Sequence, residues 1–506
     1  MTFNRLTAWT MGAIRHSARL AGMILVLHLP VLQGCSDLLT ESPKDILTIE
    51  NFYQTDADAR AAVAATYRPL SDLGLFGTAM KSALIMAADD ARVGPLEVNA
   101  SIIAVSTLAF NPAIPRVSFQ PWDAWYDIIT KSNLIIETFP GKSTMSEAVR
   151  SQVVGEAKFL RALSYFYLVR LWGDVPLVTT AADQVGKPSR TPAADVFAQI
   201  IRDATEAEAA LPASWGASDK GRAPKGAAQT LLSDVYLWRS SAMQKNEWQQ
   251  ATDAAQRVIA SGVYKLEPNY LNAFNPGSQN RGEEIFAAQG TASTNGPEIR
   301  TADMFYPQEM GANGTGGFAA VVPLPWSVDS SYAVGDYRKD VTYFTSGKTI
   351  TGQTVTFAPH VFKYRPTAHP GPQDTNWPIY RYAEVLLFNA EALNELGRTT
   401  EAVTFLNQVR ARARNGTGTE NRAQPANYSG ALTQSAVRDA IIEERRIETV
   451  FEGDRWFDLI RRGPAYFLNA MKRDPHATDV SATDMLWPIP QRAIDANSNL
   501  TQNPGY

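Results

Sequence analysis

The sequence predicts a mostly α-helical protein, a helical-repeat scaffold with long irregular loop excursions. Three observations lead to this prediction. Long stretches rich in Ala and Leu place apolar residues at i, i+3 and i+4, which is typical of amphipathic helices. In one pair of these stretches, joined by a turn at a glycine, small and large side chains recur at the spacing of a known helical repeat. Between about 268 and 378 lie 11 of the 30 prolines, and proline lacks a backbone donor, so this segment cannot be a regular helical array.

The first 34 residues have the pattern of a lipoprotein signal peptide. Basic residues precede an apolar run of 13 residues, which is shorter than the roughly 20 that span a bilayer. The run ends at Leu-Gln-Gly-Cys35, and Cys35 is the only cysteine, so no intramolecular disulfide can form. The position predicts cleavage before Cys35 and a diacylglycerol on its thiol, with a chance free thiol as the alternative. Each buried CH2 of an acyl chain contributes about 0.8 kcal/mol to membrane binding, so two or three chains hold the protein firmly at the bilayer.

Bulk composition limits what the mature chain can be. A hydrophobic content of 45% supports a real core. The net charge of −4 leaves no basic surplus, so we expect no nucleic-acid partner. The mature chain, residues 35–506, is long enough for one large domain or two ordinary ones on a lipid anchor.

The amphipathic stretches set the organisation of this domain. Thr55-Asp56 and Thr191-Pro192 are start signals for two helices. Two loop-rich segments, about 74–120 and 268–378, interrupt the scaffold, and long ordered loops in a compact domain usually carry function. The scaffold is expected at about 50–73, 121–267 and 379–465, with an extended C-terminal strap at about 480–506. Helices are expected near 55–70, 121–139, 145–171, 192–210, 226–242, 247–261, 380–396, 399–414 and 433–450.

One helix–turn–helix unit follows the tetratricopeptide spacing. Its first helix ends at Gly397, and the second begins directly afterwards. Small residues at Ala390 and Ala402 let two antiparallel helices approach, while large residues fill the groove between repeats. A looser second copy lies at 226–261. Several copies in one chain predict a tetratricopeptide-like architecture.

Nine sequence blocks, in a fixed order over almost all of the mature chain, are similar to those of a known family. They are 51–58 (NFYQTDAD), 64–67 (AATY), 155–167 (GEAKFLRALSYFY), 171–177 (LWGDVPL), 380–392 (YRYAEVLLFNAEA), 443–446 (EERR), 451–459 (FEGDRWFDL), 486–490 (LWPIP) and 499–506 (NLTQNPGY). Through them the chain resembles the SusD/RagB outer-membrane lipoproteins. The resemblance implies that residues 35–506 form a single domain with a SusD-like fold. It also implies non-catalytic capture of oligosaccharide or another nutrient. It also implies delivery to a SusC-like TonB-dependent transporter barrel.

The same resemblance implies a location at the outer membrane, lipid-anchored and facing outside. It implies no cofactor besides the covalent lipid on Cys35. Charged residues within the blocks could be mistaken for catalytic acids or phosphate clamps. They lie within apolar helical periodicity, which favours structural ion pairs, because partly buried charges are retained with partners. These residues are Glu156, Arg161, Arg446, Arg455 and Asp458.

Most of the common enzyme motifs are absent from the sequence. The histidines outside the leader fit no local zinc spacing, and no GxSxG elbow occurs. A glycosidase needs only two carboxylates, and Asp89-Asp90 and Glu283-Glu284, in or beside the irregular segments, are the best places for them. A surface glycoside hydrolase is therefore one alternative function. The other is an interaction scaffold, since tetratricopeptide surfaces often bind proteins.

The loop-rich segments supply candidate ligand-binding residues, since aromatic faces stack on sugars and polar groups bind their hydroxyls. Trp326 and Tyr332 come first because prolines and Gly335 bracket them. For each aromatic, packing inside the loop is an equal alternative, and the acidic pair could recognise a cationic or peptide ligand. The candidates are Trp326, Tyr332, Tyr306, Phe318, Trp377, Phe76, Asp90, Arg92 and Asn99. Five tryptophans on helical periodicity are expected in the core: Trp122, Trp125, Trp172, Trp238 and Trp456.

Overall fold

Helices dominate the fold, which confirms the predicted fold class. A computed structural model describes residues 53–506 except 96, 293–298, 311–319, 325–330, 350, 365–373, 417–421, 475–476 and 478. The helices are α1 (Asp56–Tyr67), α2 (Ala79–Met86), α3 (Ala100–Ser106), α4 (Phe119–Thr138), α5 (Glu147–Trp172), α6 (Ala181–Val185), α7 (Ala193–Ala210), α8 (Lys225–Ala242), α9 (Trp248–Ala260), α10 (Thr301–Phe305), α11 (Tyr337–Thr342), α12 (Tyr382–Glu395), α13 (Thr399–Ala413), α14 (Gln434–Glu448), α15 (Asp454–Ile460), α16 (Pro464–Met471) and α17 (Gln491–Ala496).

The nine helices expected from periodicity are all present within a few residues of their expected bounds. The start signal at Thr55 works as a capping box. Its hydroxyl accepts from the Asp58 amide (3.2 Å), and the Asp58 carboxylate accepts from the Thr55 amide (2.8 Å), so two otherwise unpaired amides are satisfied. α7 begins at Ala193, so its N-cap is Pro192 and not the expected Thr191, and the helix has no side-chain cap.

The long helices pack in succession, each against the next, from α4 through α5, α7, α8, α9 and α12, with α13 and α14 closing on α12. The α12–α13 pair confirms the predicted repeat spacing. Ala390 and Ala402 are fully buried between the two helices, and Leu386, Leu393 and Leu406 fill the groove around them. The chain turns between the helices at Gly397, whose φ is +79°.

The main core is aromatic and holds all five of the expected tryptophans. Trp122 meets Trp172 edge to face, with ring centroids 5.3 Å apart, and Trp172 meets Trp487 in the same way at 5.5 Å. Edge-to-face pairs add stability beyond the area that they bury. The C-terminal segment is thereby held against the end of α5.

The C-terminal strap is fixed by backbone as well as by rings. The Trp487 amide donates to the Leu171 carbonyl (2.6 Å), and the Trp172 indole donates to the Pro488 carbonyl (3.0 Å). The Asn503 amide group donates to the carbonyls of Trp172 and Trp487. The strap is not wholly extended, because α17 lies within it.

The two loop-rich segments contain more regular structure than predicted. They hold α2, α3, α10 and α11, and the described residues form three two-stranded antiparallel sheets. The strands are β1 (Ala91–Val93), β2 (Glu284–Ala288), β3 (Val321–Pro323), β4 (Tyr343–Lys348), β5 (Thr354–Val361) and β6 (Trp377–Arg381). β1 pairs with β3, β2 with β6, and β4 with β5.

α2 was missed for a physical reason. Every residue of Ala79–Met86 is buried, so the helix has no polar face and no 3.6-residue alternation to detect. Its buried Lys81 ammonium lies 4.7 Å from the centroid of the Trp377 ring, a cation–π contact. The first loop-rich segment is therefore anchored in the core.

The charged residues of the nine blocks form structural ion pairs, as expected. Arg161 donates to both carboxylate oxygens of Asp203 (2.7 and 2.8 Å). Glu156 pairs with Arg222, and Asp458 accepts from Arg445 at 3.0 Å. Arg446 and Arg455 pair with aspartates of the first loop-rich segment, as described below.

Candidate functional site

The two loop-rich segments meet on one surface. β1 lies antiparallel to β3, with Arg92 opposite Val322. Two further backbone bonds extend this contact, from the Gly94 amide to the Ala320 carbonyl (3.0 Å) and from the Leu324 amide to the Asp90 carbonyl (2.9 Å). We call this surface the loop face. Residues distant in the chain are brought together there on a rigid helical frame.

A pocket of about 340 Å³ opens in the loop face. One wall comes from the start of α2, with Thr78 and Ser82, and from Arg116. The opposite wall comes from the second segment, with Arg300 and Met304. The remaining lining residues are Leu73, Ala79, Met86, Glu97, Ile102, Gln120 and Ala320. The pocket combines apolar walls with several polar groups, as ligand pockets commonly do.

Arg116 is one of two arginines that line this pocket. Its side chain is half-buried, and its Nη1 donates to the Ser82 hydroxyl at 3.2 Å. Burial lowers the pKa of Arg116, and the negative charge of Glu97 opposes part of this shift. Glu97 is itself fixed, because its Oε1 accepts from the Asn99 amide at 2.8 Å.

A second pocket, of about 400 Å³, adjoins the first across Glu97. Arg92 of β1 lines it, together with Ile103 and Ser106 of α3. Asn99 is the exposed N-cap of α3, where its side-chain oxygen accepts from the Ser101 amide at 2.9 Å, and it lines neither pocket. Of the predicted ligand residues, Arg92 therefore lines a loop-face pocket, while Asn99 caps the helix beside it.

Four predicted aromatic candidates lie in the core instead. Trp377 is fully buried and stacks on Tyr364, with ring centroids 4.6 Å apart. Phe76 meets Trp125 edge to face at 6.2 Å. Their faces are covered by protein, which supports the alternative of packing inside the fold over a sugar platform.

Tyr306 and Tyr332 are buried as well, at 4% and 6% exposure. The Tyr332 hydroxyl donates to the Thr342 hydroxyl at 3.3 Å, and its ring meets Tyr343 edge to face. Burial raises the pKa of Tyr332. Phe318, Trp326 and the lipid-anchor candidate Cys35 lie outside the described residues, so for them the sequence-based predictions stand as made.

Asp90 belongs to a buried ion-pair cluster under the loop face. Its Oδ1 accepts from Arg446 Nε at 2.9 Å, while Asp89 accepts from Arg455 at 2.6 and 2.8 Å. Although burial raises the pKa of Asp89, the Arg455 guanidinium outweighs it and holds that pKa below its usual value. Asp90 is therefore placed as a structural partner of α14 and not as an open ligand contact.

The second carboxylate pair nominated for a hydrolase is also structural. Glu283 accepts from Arg381 at 2.6 Å and from Arg412 at 2.5 Å. Glu284 accepts from the Asn280 amide (2.8 Å) and the Asn376 side chain (2.9 Å), and burial raises its pKa. Both nominated pairs are thus enclosed in the protein and engaged with other side chains.

Sequence reasoning missed Glu97, Arg116 and Arg300 as residues of the loop-face pockets. All three lie in the segments flagged as functional loops, so a search for charged residues there could have found them. What was not visible is which charged residues line the pockets, because that depends on which distant segments meet in three dimensions. Within the described ranges, no group of three or more His, Cys, Asp or Glu side chains could hold a metal ion. No helix in that same part of the chain is both long and apolar enough for a membrane crossing.

Comparison with known families gives two matches. Residues 243–506 match the SusD family. Residues 109–237 match a second family, described as starch-binding and associating with the outer membrane. Together the two matches include much of the scaffold and all of the second loop-rich segment.

Among individual proteins, the chain is 32% identical to SusD-like protein P2 of Formosa agariphila, over 95% of this chain and 98% of that protein. It is 25% identical to the starch-binding protein SusD of Bacteroides thetaiotaomicron, over 81% and 82% of the two chains.

Solved structures show the same fold. A SusD homologue from Bacteroides thetaiotaomicron superposes with a TM-score of 0.79 at 22% identity, covering 90% of this chain and 98% of the other. A laminarin-binding SusD-like protein superposes with a TM-score of 0.70 at 24% identity, covering 90% and 100%.

Proposed function

The chain belongs to the SusD family, and on that premise we propose that it is a cell-surface binding lipoprotein. It captures a glycan or another nutrient and passes it to a SusC-like TonB-dependent transporter of the outer membrane. The observation that carries the proposal is the pair of adjoining pockets on the loop face, held on a rigid helical frame. Binding residues are commonly found on loops that a scaffold positions in this way.

The named relatives support a glycan as the ligand. One relative is named a starch-binding protein, and one structural neighbour is named laminarin-binding. The pockets have the volume of small-molecule sites, at about 340 and 400 Å³. Their polar groups can bind sugar hydroxyls, and apolar Leu73, Ile102 and Ile103 can contact the C–H faces.

The lipid on Cys35 supplies the surface attachment in this proposal. Two or three acyl chains on one residue hold a protein at a bilayer without a spanning helix. The description of the second matching family, as associating with the outer membrane, agrees with this location. The ligand is then bound close to the transporter that imports it.

Titration calorimetry of the purified chain against a panel of neutral and acidic oligosaccharides tests the capture role. We expect binding to at least one glycan, and a double variant Glu97→Ala/Ile103→Ala should weaken it because both side chains line the loop face. The control Glu147→Ala/Val185→Ala likewise replaces a glutamate and a β-branched aliphatic residue, at exposed positions elsewhere, and should bind normally. Binding of peptides but of no glycan would contradict the proposal.

The transporter partnership has its own test. Affinity purification of the lipidated chain from native outer membranes should recover a TonB-dependent barrel. Recovery of the chain without a barrel would argue for a stand-alone binding protein.

A further inference from the structure

A third cavity, of about 220 Å³, lies beside β2. We call it the β2 cavity, because four of its lining residues, Glu284 to Ala287, belong to that strand. The rest come from the connection between α7 and α8, from the turn after α9 and from the segment just before β2. In the described part of the chain, this cavity and the loop-face pockets have no lining residue in common.

Glu284 brings a buried and unpaired acceptor to this cavity. It is 9% exposed, and its Oε1 accepts from the Asn280 amide (2.8 Å) and the Asn376 side chain (2.9 Å). Among the described residues, its Oε2 accepts no hydrogen bond, and no Lys or Arg forms an ion pair with it. The neighbouring Glu283 differs, because Arg381 and Arg412 both pair with it. A buried carboxylate oxygen without a donor is costly, and a ligand in the cavity can supply the donor.

The wall opposite this carboxylate is aromatic and rigid. The Trp215 indole donates to the Ala223 carbonyl (2.9 Å), and the Arg222 guanidinium lies over its ring, 3.9 Å from the centroid. Arg222 is held in turn by Glu156 (2.9 Å) and Asp219 (2.7 Å). A wall fixed in this way loses little freedom when a ligand binds. The aromatic lining residues are Trp215, Tyr264 and Phe286.

The charges around the cavity favour an uncharged ligand. Lys220 and Arg281 are exposed lining residues at its mouth, and Arg222 already covers one face of Trp215. These cations oppose a cationic ligand, while the Glu284 carboxylate opposes an anionic one. A molecule that fits carries no charge, donates from hydroxyl groups and presents apolar C–H faces.

We infer that the β2 cavity is a second carbohydrate site, which takes a single uncharged sugar residue whose hydroxyls donate to Glu284. The inference goes beyond the proposed function, which needs the loop face alone. A sugar ring has hydroxyls at its edge and C–H groups on its faces, so one ring can meet both the carboxylate and the aromatic wall. The volume is below the roughly 300–1,000 Å³ of sites for drug-sized ligands, which suits one ring and not a longer chain.

Saturation-transfer NMR titrations of the whole chain with monosaccharides test the inference. The neutral probes are glucose, galactose and mannose, and each is compared with its amino-sugar and uronate forms. We expect at least one neutral sugar to bind, and to bind more tightly than either charged form of the same ring. Tighter binding of the amino sugar or of the uronate would overturn the assignment of an uncharged ligand.

Three variants locate the binding. Glu284→Gln keeps the shape of the side chain and removes its charge, so it should weaken sugar binding about 10-fold or more, the usual range for hydrogen bonds to a charged group. Ala213→Leu enlarges an exposed lining residue at the mouth and should also weaken binding. The control Glu147→Gln makes the first change at an exposed position in α5 and should leave the affinity unchanged.

The outcomes separate this site from the loop face. Sugar binding that is kept in Glu284→Gln and lost in Glu97→Ala/Ile103→Ala would overturn the inference and leave the proposed function standing. Failure of every monosaccharide would also overturn it, while calorimetry with oligosaccharides decides the proposed function separately. If Glu284→Gln does not fold, as judged by its thermal midpoint, Ala213→Leu decides, and an unchanged affinity in that variant would count against the site.

Discussion

At the scale of single residues, Arg381 shows how one side chain joins distant parts of the chain. It ends β6, and its guanidinium donates to Glu283 (2.6 Å), Glu452 (2.6 Å) and Glu448 (3.2 Å). These carboxylates lie 98, 71 and 67 residues away in sequence. All four groups are buried, so each depends on the others for compensation of its charge.

Arg381→Ala should therefore lower the free energy of unfolding by about 3–5 kcal/mol, the usual effect of breaking a buried ion pair. Urea denaturation followed by circular dichroism measures it. Arg68→Ala is the control, because it removes an exposed i,i+4 pair with Asp72 (2.6 Å) and should cost less than about 1 kcal/mol. Equal losses in the two variants would show that burial of the Arg381 cluster adds nothing.

The anchor is the other prediction at the residue scale. Cys35→Ala should abolish lipid attachment, since the thiol is the acceptor, and release the protein from the membrane fraction. Detergent phase partitioning of cells expressing the variant measures this. Ser36→Ala, the adjacent substitution, should leave partitioning unchanged. A Cys35→Ala protein that remains in the detergent phase would contradict lipid anchoring at this position.

At the scale of elements, the α12–α13 pair shows how a turn sets the spacing of the scaffold. Gly397 has a φ of +79°, in the left-handed region, and a Cβ placed on it would meet no atom within 4 Å. A side chain there would be disfavoured by backbone conformation alone. The buried Ala390 and Ala402 can meet because the chain reverses at this position.

Gly397→Ala should lower the free energy of unfolding by about 1–2 kcal/mol, the cost of a left-handed L-residue. The control is Gly277→Ala, which also meets open space but has no positive φ, and it should be neutral or slightly stabilising. Chemical denaturation of both variants measures their free energies of unfolding and tests this difference. A Gly397→Ala protein as stable as the control would show that the turn relaxes without cost.

At the scale of the whole molecule, buried carboxylates make stability depend on pH in two opposite ways. Burial raises the pKa of Glu448, but Arg412, Arg381 and other cations outweigh it and lower that pKa from 4.5 to about 2. Burial, followed by repulsion from Glu452, raises the pKa of Asp454 from 3.8 to about 7. The first group prefers to be charged in the folded state, and the second prefers to be neutral.

The signs follow from linkage between proton binding and folding. The contribution of Glu448 is present above about pH 4.5 and is lost as the pH falls towards 2. The contribution of Asp454 is fully present below about pH 3.8 and is lost as the pH rises through about 7. The free energy of unfolding should therefore rise as the pH falls from about 8 to about 5, and then fall steeply below about 4.

Urea denaturation at a series of pH values measures this profile. Asp454→Asn provides the control, because it removes the titrating group and should flatten the neutral limb while leaving the acid limb in place. An unchanged neutral limb in Asp454→Asn would assign the dependence to other groups.

The sequence by itself determined the nine long helices, the positions of the two loop-rich segments and the family to which the chain belongs. Each of these depends on signals that are local along the chain. Apolar residues at i, i+3 and i+4 mark a helix whatever it packs against, and clustered proline prevents one. The predicted lipid anchor at Cys35 rests on the same kind of local pattern.

The tertiary structure alone decided which loop residues line the loop-face pockets. Trp377 and Phe76 resemble sugar platforms in sequence, yet contacts from distant elements bury them. Arg116 and Arg446 are equally charged, but Arg446 reaches Asp90 while Arg116 faces the pocket. Burial and ion pairing depend on which elements meet in space. The pairing of β1 with β3, which are more than 200 residues apart in sequence, is invisible to any local pattern. For that reason the scaffold could be predicted from the sequence, and the loop-face site could not.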